Sequence, residues 1–255
     1  ETFGCRLNTF ESEIIKSNLP AASERRRIVF NTCAVTAEAE RQARQAIRKA
    51  RRVNPDAEII VTGCSAQLNP KTFANMPEVD RILGNEEKLS PHVWNEDGGP
   101  KTLVTDIMNV SEVAPQLVAG FENRVRAFVQ VQQGCDHRCT FCIIPFARGN
   151  SRSIPIGKLV EQTQMLIDNG YKEIVLTGVD LTSYGSDLPG QPSLGNMVGR
   201  LLKHVPDMKR LRLSSLDPVE IDTDLLKLIG SEQRLMPHLH LSIQAGNDMI
   251  LKRMK

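Results

Sequence analysis

The six cysteines of this 255-residue chain constrain it more than any other feature, because they fall into two triplets with different layouts. The compact triplet is Cys135, Cys139 and Cys142, and the dispersed triplet is Cys5, Cys33 and Cys64. In an intracellular protein, cysteines grouped in this way bind metals or carry out redox chemistry more often than they form structural disulfides. We therefore expect two metal centres, one for each triplet.

The compact triplet has the spacing C-x-x-x-C-x-x-C, which favours an iron–sulfur cluster. A cubane cluster normally takes four thiolates, so a set of three leaves one iron open to a reactant. Gly134 gives the loop a permissive entry and Pro145 ends it. The spacing therefore predicts a reactive cluster rather than a closed structural one.

Two other interpretations of the compact triplet stay open. A structural zinc site would recruit His137 or a remote residue as its fourth ligand, since three cysteines and a histidine are a common zinc set. His137 lies two residues from both Cys135 and Cys139, however, and folding it onto the same metal would strain a short loop. A structural disulfide is the other interpretation.

Each cysteine of the dispersed triplet follows a short apolar or turn segment. These segments are residues 2–4, 28–32 and 59–63. Because ligands gather at the carboxyl ends of the strands in an open parallel sheet, this repeated placement predicts a second metal centre at the sheet edge. The alternative is three unrelated buried thiols, since free cysteine is among the most buried residue types.

Apolar strands alternate with amphipathic helices and predict an α/β protein with two units. The first unit, residues 1–95, is an open parallel sheet, and the polar stretch 95–100 begins a linker that covers residues 96–123. The second unit, residues 124–255, carries strand–helix repeats typical of a partial parallel barrel. Its predicted strands are 127–132, 173–177, 210–214 and 238–244. In the first unit, Thr36 is expected to cap a helix that ends near Val53.

Several segments resemble a known family. The loop 134–145 resembles the cluster-binding loop of the radical S-adenosylmethionine (SAM) superfamily, and residues 2–13, 31–36 and 62–64 look like the amino-terminal domain of the radical SAM methylthiotransferases. The sequence GCRLN at 4–8 and HLHLSIQAG at 238–246 look most like the branch that acts on threonylcarbamoyl-adenosine (t6A) in tRNA. The other branches act on isopentenyl-adenosine in tRNA and on ribosomal protein S12.

The resemblance implies a fold. It is an amino-terminal open parallel α/β sheet domain followed by a partial (βα)6 radical SAM barrel of the TIM-like type. Family members continue with further barrel elements and an RNA-binding TRAM domain. We therefore expect this sequence to be truncated at its carboxyl end and to lack the TRAM domain.

The resemblance also implies cofactors and partners. The cofactors are SAM and two [4Fe–4S] clusters, with the compact triplet holding the catalytic cluster and the dispersed triplet an auxiliary one. The first cluster would generate the radical that abstracts hydrogen from adenine C2, and the second would supply sulfur. The partners would be tRNA with a t6A-containing anticodon loop, a reducing electron donor and a sulfur source, in the cytoplasm. A non-catalytic zinc or iron–sulfur binding module is the alternative of another class.

Candidate cofactor and substrate contacts follow the predicted strands of the barrel. The expected SAM contacts are Gly178, Ser214, Ser215 and Gln244. Arg148 and Arg152 follow the cluster loop and are expected to meet an anionic nucleotide or the SAM carboxylate. Asp180 and Tyr184 would face either substrate or solvent. For each of the expected SAM contacts, an ordinary role as turn glycine or capping side chain stays open.

Composition limits the remaining classes. The formal net charge is +2, so the chain as a whole is no strong binder of polyanions. A ridge of arginines on the helix 36–53 would contact RNA phosphate or simply be solvated. Its members are Arg41, Arg44, Arg48 and Arg51. No apolar run reaches the roughly 18 residues of a membrane helix, so no membrane partner is expected.

Overall fold

A computed structural model describes residues 1–20, 26–95, 99–113, 117–121 and 124–254. The chain divides into two compact units. The first comprises Glu1–Val110 and Phe146–Gly149, and the second comprises Ser111–Pro145 and Asn150–Lys255. Of the predicted linker, residues 96–98, 114–116 and 122–123 lie outside the described residues, as does Lys255 at the end of the predicted second unit.

The first unit is built on a four-stranded parallel sheet in the order β1-β2-β3-β4. Its elements are α1 (Arg6–Asn18), β1 (Arg27–Thr32), α2 (Ala37–Val53), β2 (Glu58–Gly63), α3 (Cys64–Leu68), α4 (Pro70–Ala74), β3 (Arg81–Leu83), α5 (Pro91–Asn95) and β4 (Thr102–Leu103). This is the open parallel α/β sheet that the sequence predicts.

The central strand β2 is buried along its whole length, as expected for a parallel sheet covered on both faces. Successive side chains alternate between two apolar clusters because the strand period is two. Ile59 and Val61 pack with Phe30, whereas Ile60 packs with Trp94 on the other face.

The helix α2 begins where the capping pattern predicts. The Thr36 side chain accepts a hydrogen bond of 3.2 Å from the backbone N–H of Ala39, and Ala43 and Ile47 are buried below it. The strands β3 and β4 were not anticipated from the sequence, because each is too short for a clear apolar pattern. The strand β4 lies inside the stretch 96–123 that the sequence indicates as a linker, and it pairs in parallel with β3.

The second unit contains a three-stranded parallel sheet in the order β5-β8-β9, a parallel pair β10-β11 and an antiparallel pair β6-β7. The elements from here on are β5 (Ala127–Gln130), β6 (Gln132–Gln133), α6 (Ile144–Arg148), β7 (Arg152–Ser153), α7 (Ile156–Asp168), β8 (Glu173–Thr177), α8 (Leu194–His204), β9 (Arg210–Leu213), β10 (Ser215–Leu216), α9 (Thr223–Ser231), β11 (His240–Leu241) and α10 (Asp248–Met254). The part of α6 from Phe146 onward is counted with the first unit.

The strand–helix repeats of the barrel are confirmed, with strands that are more broken than the sequence predicts. The predicted strand 127–132 is interrupted at Val131, and 210–214 continues as β10 after a break at Ser214. The predicted strand 238–244 is ordered as a strand at His240–Leu241 alone. Among the described residues, no helix is both long enough and apolar enough to span a membrane.

Candidate functional site

The dispersed triplet lies at the carboxyl end of the first sheet. Cys33 follows the last residue of β1, and Cys64 follows the last residue of β2 and opens α3. Cys5 is the N-cap of α1, and the bridge between Thr2 and Asn31 aligns the segment before it with β1. The three strand-end placements that the sequence predicts therefore meet at one edge.

The chemistry of this donor set fits a metal cluster. Burial raises the pKa of the Cys33 thiol, and the neighbouring Cys64 and Cys5 raise it further. Cys64 and Cys5 are thus close enough to the Cys33 sulfur to disfavour its thiolate form, and a bound cation would relieve that repulsion. Three converging thiols are the ligand set through which an iron–sulfur cluster would be held.

In three places a glycine directly precedes a cysteine, and each of these glycines has a backbone conformation that other residues rarely adopt. Gly4, Gly63 and Gly134 all have positive φ, at 95°, 95° and 73°. A Cβ on Gly63 would lie 2.3 Å from the backbone oxygen of Thr32, and a Cβ on Gly4 would lie 2.7 Å from Cys33 Sγ. Only glycine lets the chain turn there and bring the next cysteine to the strand end.

Three fully buried charged side chains lie next to the dispersed triplet. They are Glu11, Lys88 and Arg148, and we call them the Glu11 cluster. Glu11 accepts from Lys88 Nζ at 2.7 Å and from Arg148 Nη1 at 2.6 Å. Burial alone would raise the pKa of Glu11, but Arg148 and Lys88 lower it to about 2. The carboxylate is therefore ionised at neutral pH.

Two asparagines connect the Glu11 cluster to the segments that carry the dispersed cysteines by hydrogen bonds. Asn8 donates to the backbone oxygens of Phe3 and Thr32, and its own side-chain oxygen accepts from Arg148 Nη2 at 2.5 Å. Asn31 donates to the backbone oxygen of Asn8 at 2.9 Å. These are the asparagines of the motifs at 4–8 and 31–36, so the motifs supply residues that support the dispersed triplet as well as two of its cysteines.

In the second unit, the compact triplet occupies the loop after β6. The loop is fixed by Asp136, which accepts from the backbone N–H of Ser151 at 2.9 Å, and by Arg138, which donates to the backbone oxygens of Cys135 and His137. The backbone N–H of Cys142 donates to the oxygen of Cys139 at 3.0 Å. The three cysteines are partly exposed.

Thiol electrostatics in this loop match those of the dispersed triplet. Burial raises the pKa of Cys135 to about 12, and the carboxylate of Asp180, 3.4 Å from its sulfur, raises it as well. Burial and the neighbouring Cys142 also raise the pKa of Cys139. Cys135 and Cys139 thus both lie near Cys142, and a cationic centre bound by this loop would favour their thiolate forms.

These two cysteine sets coincide with two matched families. Residues 1–84 match the uncharacterized protein family UPF0004, and residues 129–255 match the radical SAM superfamily. A protein of Rickettsia prowazekii named threonylcarbamoyladenosine tRNA methylthiotransferase MtaB is 59% identical over 254 residues, covering 100% of this chain and 60% of that protein. The chain belongs to the radical SAM methylthiotransferase family.

A second relative and a solved structure agree. The protein of the same name from Aquifex aeolicus is 39% identical over 266 residues, covering 100% of this chain and 64% of its own length. The chain thus spans less than two thirds of these curated relatives. The radical SAM methyltransferase TsrM from Kitasatospora setae, with tryptophan and a SAM analogue bound, superimposes with a TM-score of 0.56 at 14% identity, covering 96% of this chain and 53% of TsrM. That likeness supports the fold.

Gln132 stabilises the loop that carries the compact triplet, and the sequence analysis did not single it out. Its buried side chain donates to the backbone oxygen of Gly134 at 2.7 Å and accepts from the backbone N–H groups of Val179 and Asp180. A Cβ on Gly178 would lie 3.0 Å from its Oε1. One amide thus joins the entry of the cysteine loop to the loop after β8.

The side chain of His137, which the zinc interpretation names as a possible fourth ligand, contacts two carboxylates. Its Nε2 lies 2.9 Å from Glu220 and 3.3 Å from Asp180, and the three ligand atoms lie within 4.8 Å of one another. The ring therefore faces an acidic pair in the described part of the chain. Glu220 was not singled out in the sequence, because it is 83 positions away from His137 (220 − 137) and carries no motif.

The predicted SAM contacts lie after strands, in different environments. Gly178 follows β8, and Ser214 follows β9 with its hydroxyl buried and without a hydrogen-bond partner among the described residues. Ser215 is exposed on β10. Gln244 is exposed and has a φ of 63°, an uncommon conformation for a residue other than glycine.

The two predicted arginines are both buried, and Tyr184 is too. Arg148 belongs to the Glu11 cluster of the first unit, and Arg152 lies on β7, 3% exposed, where its Nη1 donates to the backbone oxygen of Asn150. Tyr184 is 3% exposed and donates to the backbone oxygen of Ile154. The suggestion that Tyr184 faces substrate or solvent is therefore wrong, since its hydroxyl is satisfied inside the unit.

The arginine ridge on α2 is largely neutralised by neighbouring acids. Arg41 pairs with Glu38, Arg44 pairs with Glu40, and Arg51 binds Asp80 at 2.5 Å. Arg51 also donates to three backbone oxygens, of Pro55, Ala57 and Glu78. These contacts favour an ordinary helix surface over a phosphate-binding ridge.

Proposed function

We propose that the protein is a radical SAM tRNA methylthiotransferase that converts t6A to 2-methylthio-t6A in the tRNA anticodon loop with two [4Fe–4S] clusters. The observation that carries this is the dispersed triplet at the carboxyl end of the first sheet. A single compact triplet suits any radical SAM chemistry, whereas a second set of three converging thiols suits an enzyme that must also hold sulfur.

When bound, a cluster on the compact triplet supplies the electron for reductive cleavage of SAM. Cys135, Cys139 and Cys142 would be its ligands, and the loop that carries them is held by Gln132 and Asp136. We propose that Gly178, Ser214, Ser215 and Gln244 contact SAM. The buried Ser214 hydroxyl supports its share of this role, because an unpaired buried hydroxyl is costly unless a ligand satisfies it.

The two arginines expected to contact an anionic group, Arg148 and Arg152, differ in their surroundings. We propose Arg152 as a contact to an anionic group, whereas the hydrogen bonds of the buried Arg148 to Glu11, Asn8 and Cys64 favour a role beside the dispersed triplet. The t6A acceptor is supported by the names of the relatives and by the motif at 4–8. We propose tRNA, a reducing electron donor and a sulfur source as partners, and the cytoplasm as the location.

The test is incubation of the reconstituted protein with SAM, a reductant and tRNA that carries t6A, followed by mass spectrometry of the nucleosides. We expect the wild type to form both 2-methylthio-t6A and 5′-deoxyadenosine. The variant Cys5→Ala/Cys33→Ala/Cys64→Ala should still release 5′-deoxyadenosine but form no methylthio product, because only sulfur supply is removed. The variant with alanine at all three positions of the compact triplet should form neither.

The matched control is tRNA that carries isopentenyl-adenosine in place of t6A. Methylthiolation of that tRNA with t6A left unchanged would contradict the proposed substrate and favour the isopentenyl branch. Loss of neither product in the dispersed-triplet variant would contradict the proposed role of its cysteines.

A further inference from the structure

Arg148 occupies a place that its sequence neighbourhood does not suggest. It follows the compact triplet by six positions (148 − 142), yet it belongs with the first unit and is 2% exposed. Its Nε donates to Cys64 Sγ at 3.2 Å. A guanidinium therefore touches a sulfur of the dispersed triplet directly, so Arg148 is accounted for by that triplet rather than by a substrate anion.

Glu11 and Asn8 hold this guanidinium in place. Nη1 and Nη2 both donate to Glu11, at 2.6 Å and 3.1 Å, and Nη2 donates to Asn8 Oδ1 at 2.5 Å. Bidentate pairing with a carboxylate orients the planar group, leaving Nε pointed at the sulfur. Because each partner is itself buried, the arginine has little freedom to turn away.

Charge balance gives the arrangement a purpose. Glu11 binds both Lys88 and Arg148, so it offsets one of two fully buried positive charges. Lys88 also donates to Asn85 Oδ1 at 2.7 Å, and Asn85 Nδ2 lies 3.9 Å from Cys64 Sγ. A thiolate at Cys64 would interact favourably with both cations, with Arg148 directly and with Lys88 through Asn85.

We propose that Arg148 is a positioning residue of the auxiliary cluster, which holds the Cys64 sulfur by an N–H···S hydrogen bond and favours the reduced cluster through its buried positive charge. The inference rests on the proposed function only in taking the dispersed triplet to bind a cluster. Hydrogen bonds to the sulfurs and nearby charge are known determinants of the reduction potential of such clusters. Burial strengthens both effects because the interior screens charge poorly.

The experiment uses protein in which the compact triplet is replaced by alanine, so that the dispersed triplet alone can bind iron. The reduced fraction is measured by electron paramagnetic resonance during a redox titration. We expect Arg148→Gln to lower the ratio of reduced to oxidised cluster about tenfold at a given potential, equivalent to about 59 mV for one electron. Arg148→Lys should show a much smaller shift, because it keeps the charge.

The control is Arg51→Gln, which removes a partly buried arginine of the first unit that also pairs with a carboxylate. It should keep both the iron and the potential. Iron binding at an unchanged potential in Arg148→Gln would overturn the inference, as would equal loss of iron in Arg148→Gln, Arg148→Lys and Arg51→Gln. Loss of iron in Arg148→Gln with retention in the other two would support the positioning role.

Failure of the proposed function would look different. If the protein with the dispersed triplet alone binds no iron while Arg148 is intact, the two-cluster proposal is wrong and the inference falls with it. If it binds iron and responds to none of the Arg148 substitutions, only the inference is wrong.

Discussion

Replacement of Glu11 by glutamine is expected to lower the free energy of unfolding by about 3–5 kcal/mol at neutral pH, because it leaves two buried cations without their carboxylate. Glu11, Lys88 and Arg148 are each 2% exposed or less. Urea denaturation of the metal-free protein, followed by the fluorescence of its single tryptophan, measures this change. Trp94 is fully buried beside the first sheet, so its fluorescence reports on the unit that contains the Glu11 cluster.

The acid dependence gives this prediction a second signature. The pKa of Glu11 is lowered from its ordinary 4.5 to about 2, so the unfolded chain binds more protons between those pH values. Stability from Glu11 is therefore complete above pH 4.5 and is lost as the pH falls toward 2. The shift corresponds to roughly 3 kcal/mol. Glu11→Gln should lack this part of the acid loss.

The matched control for Glu11 is Glu38→Gln on α2. The Glu38 carboxylate also has its pKa lowered to about 2, first by hydrogen bonds from Arg41, but both side chains are more than half exposed. Solvent screens such pairs, so the loss of stability should be much smaller. Equal effects of the two substitutions, or identical acid dependence in wild type and Glu11→Gln, would contradict the account of the buried cluster.

Replacement of Gly63 by alanine is the second substitution with a large expected effect, about 4 kcal/mol of destabilisation. The positive φ of 95° costs about 1–3 kcal/mol for a residue with a Cβ. The new Cβ would also lie 2.3 Å from the backbone oxygen and 2.4 Å from the nitrogen of Thr32, and this overlap adds about 1–3 kcal/mol. Because Gly63 pairs with Thr32 across β1 and β2, the strands must separate next to Cys64.

Gly170→Ala separates the two contributions. Gly170 has a φ of 91°, but a Cβ there would meet nothing within 4 Å. It should therefore show the cost of the backbone conformation without the overlap. Urea denaturation followed by circular dichroism measures both variants. A loss for Gly63→Ala no larger than that for Gly170→Ala would contradict the steric argument.

Local patterns in the sequence predicted the features that depend on neighbouring residues. The Thr36 cap, the helix Leu194–His204 and the strand Glu173–Thr177 follow from capping and apolar periodicity over a few turns. The meeting of the dispersed cysteines at one edge follows from their positions after strands, because parallel strands end on the same side.

Contacts between distant segments could not be read in the same way. Arg148 and Glu11 are separated by 137 positions, and no periodicity connects them. The carboxylates around His137 and the satisfied hydroxyl of Tyr184 likewise depend on loops that fold back. Sequence adjacency placed Arg148 near the compact triplet, whereas its partners are Cys64 of the dispersed triplet and the buried side chains of Glu11 and Asn8.

Iron, sulfide and zinc content after anaerobic reconstitution tests the central claim, that the protein holds two clusters on two separate cysteine triplets. The wild type should contain about eight irons, and Cys5→Ala/Cys33→Ala/Cys64→Ala should contain about four. About four irons in both proteins would remove the auxiliary cluster and the methylthiotransferase proposal with it. Stoichiometric zinc without iron would contradict the radical chemistry altogether.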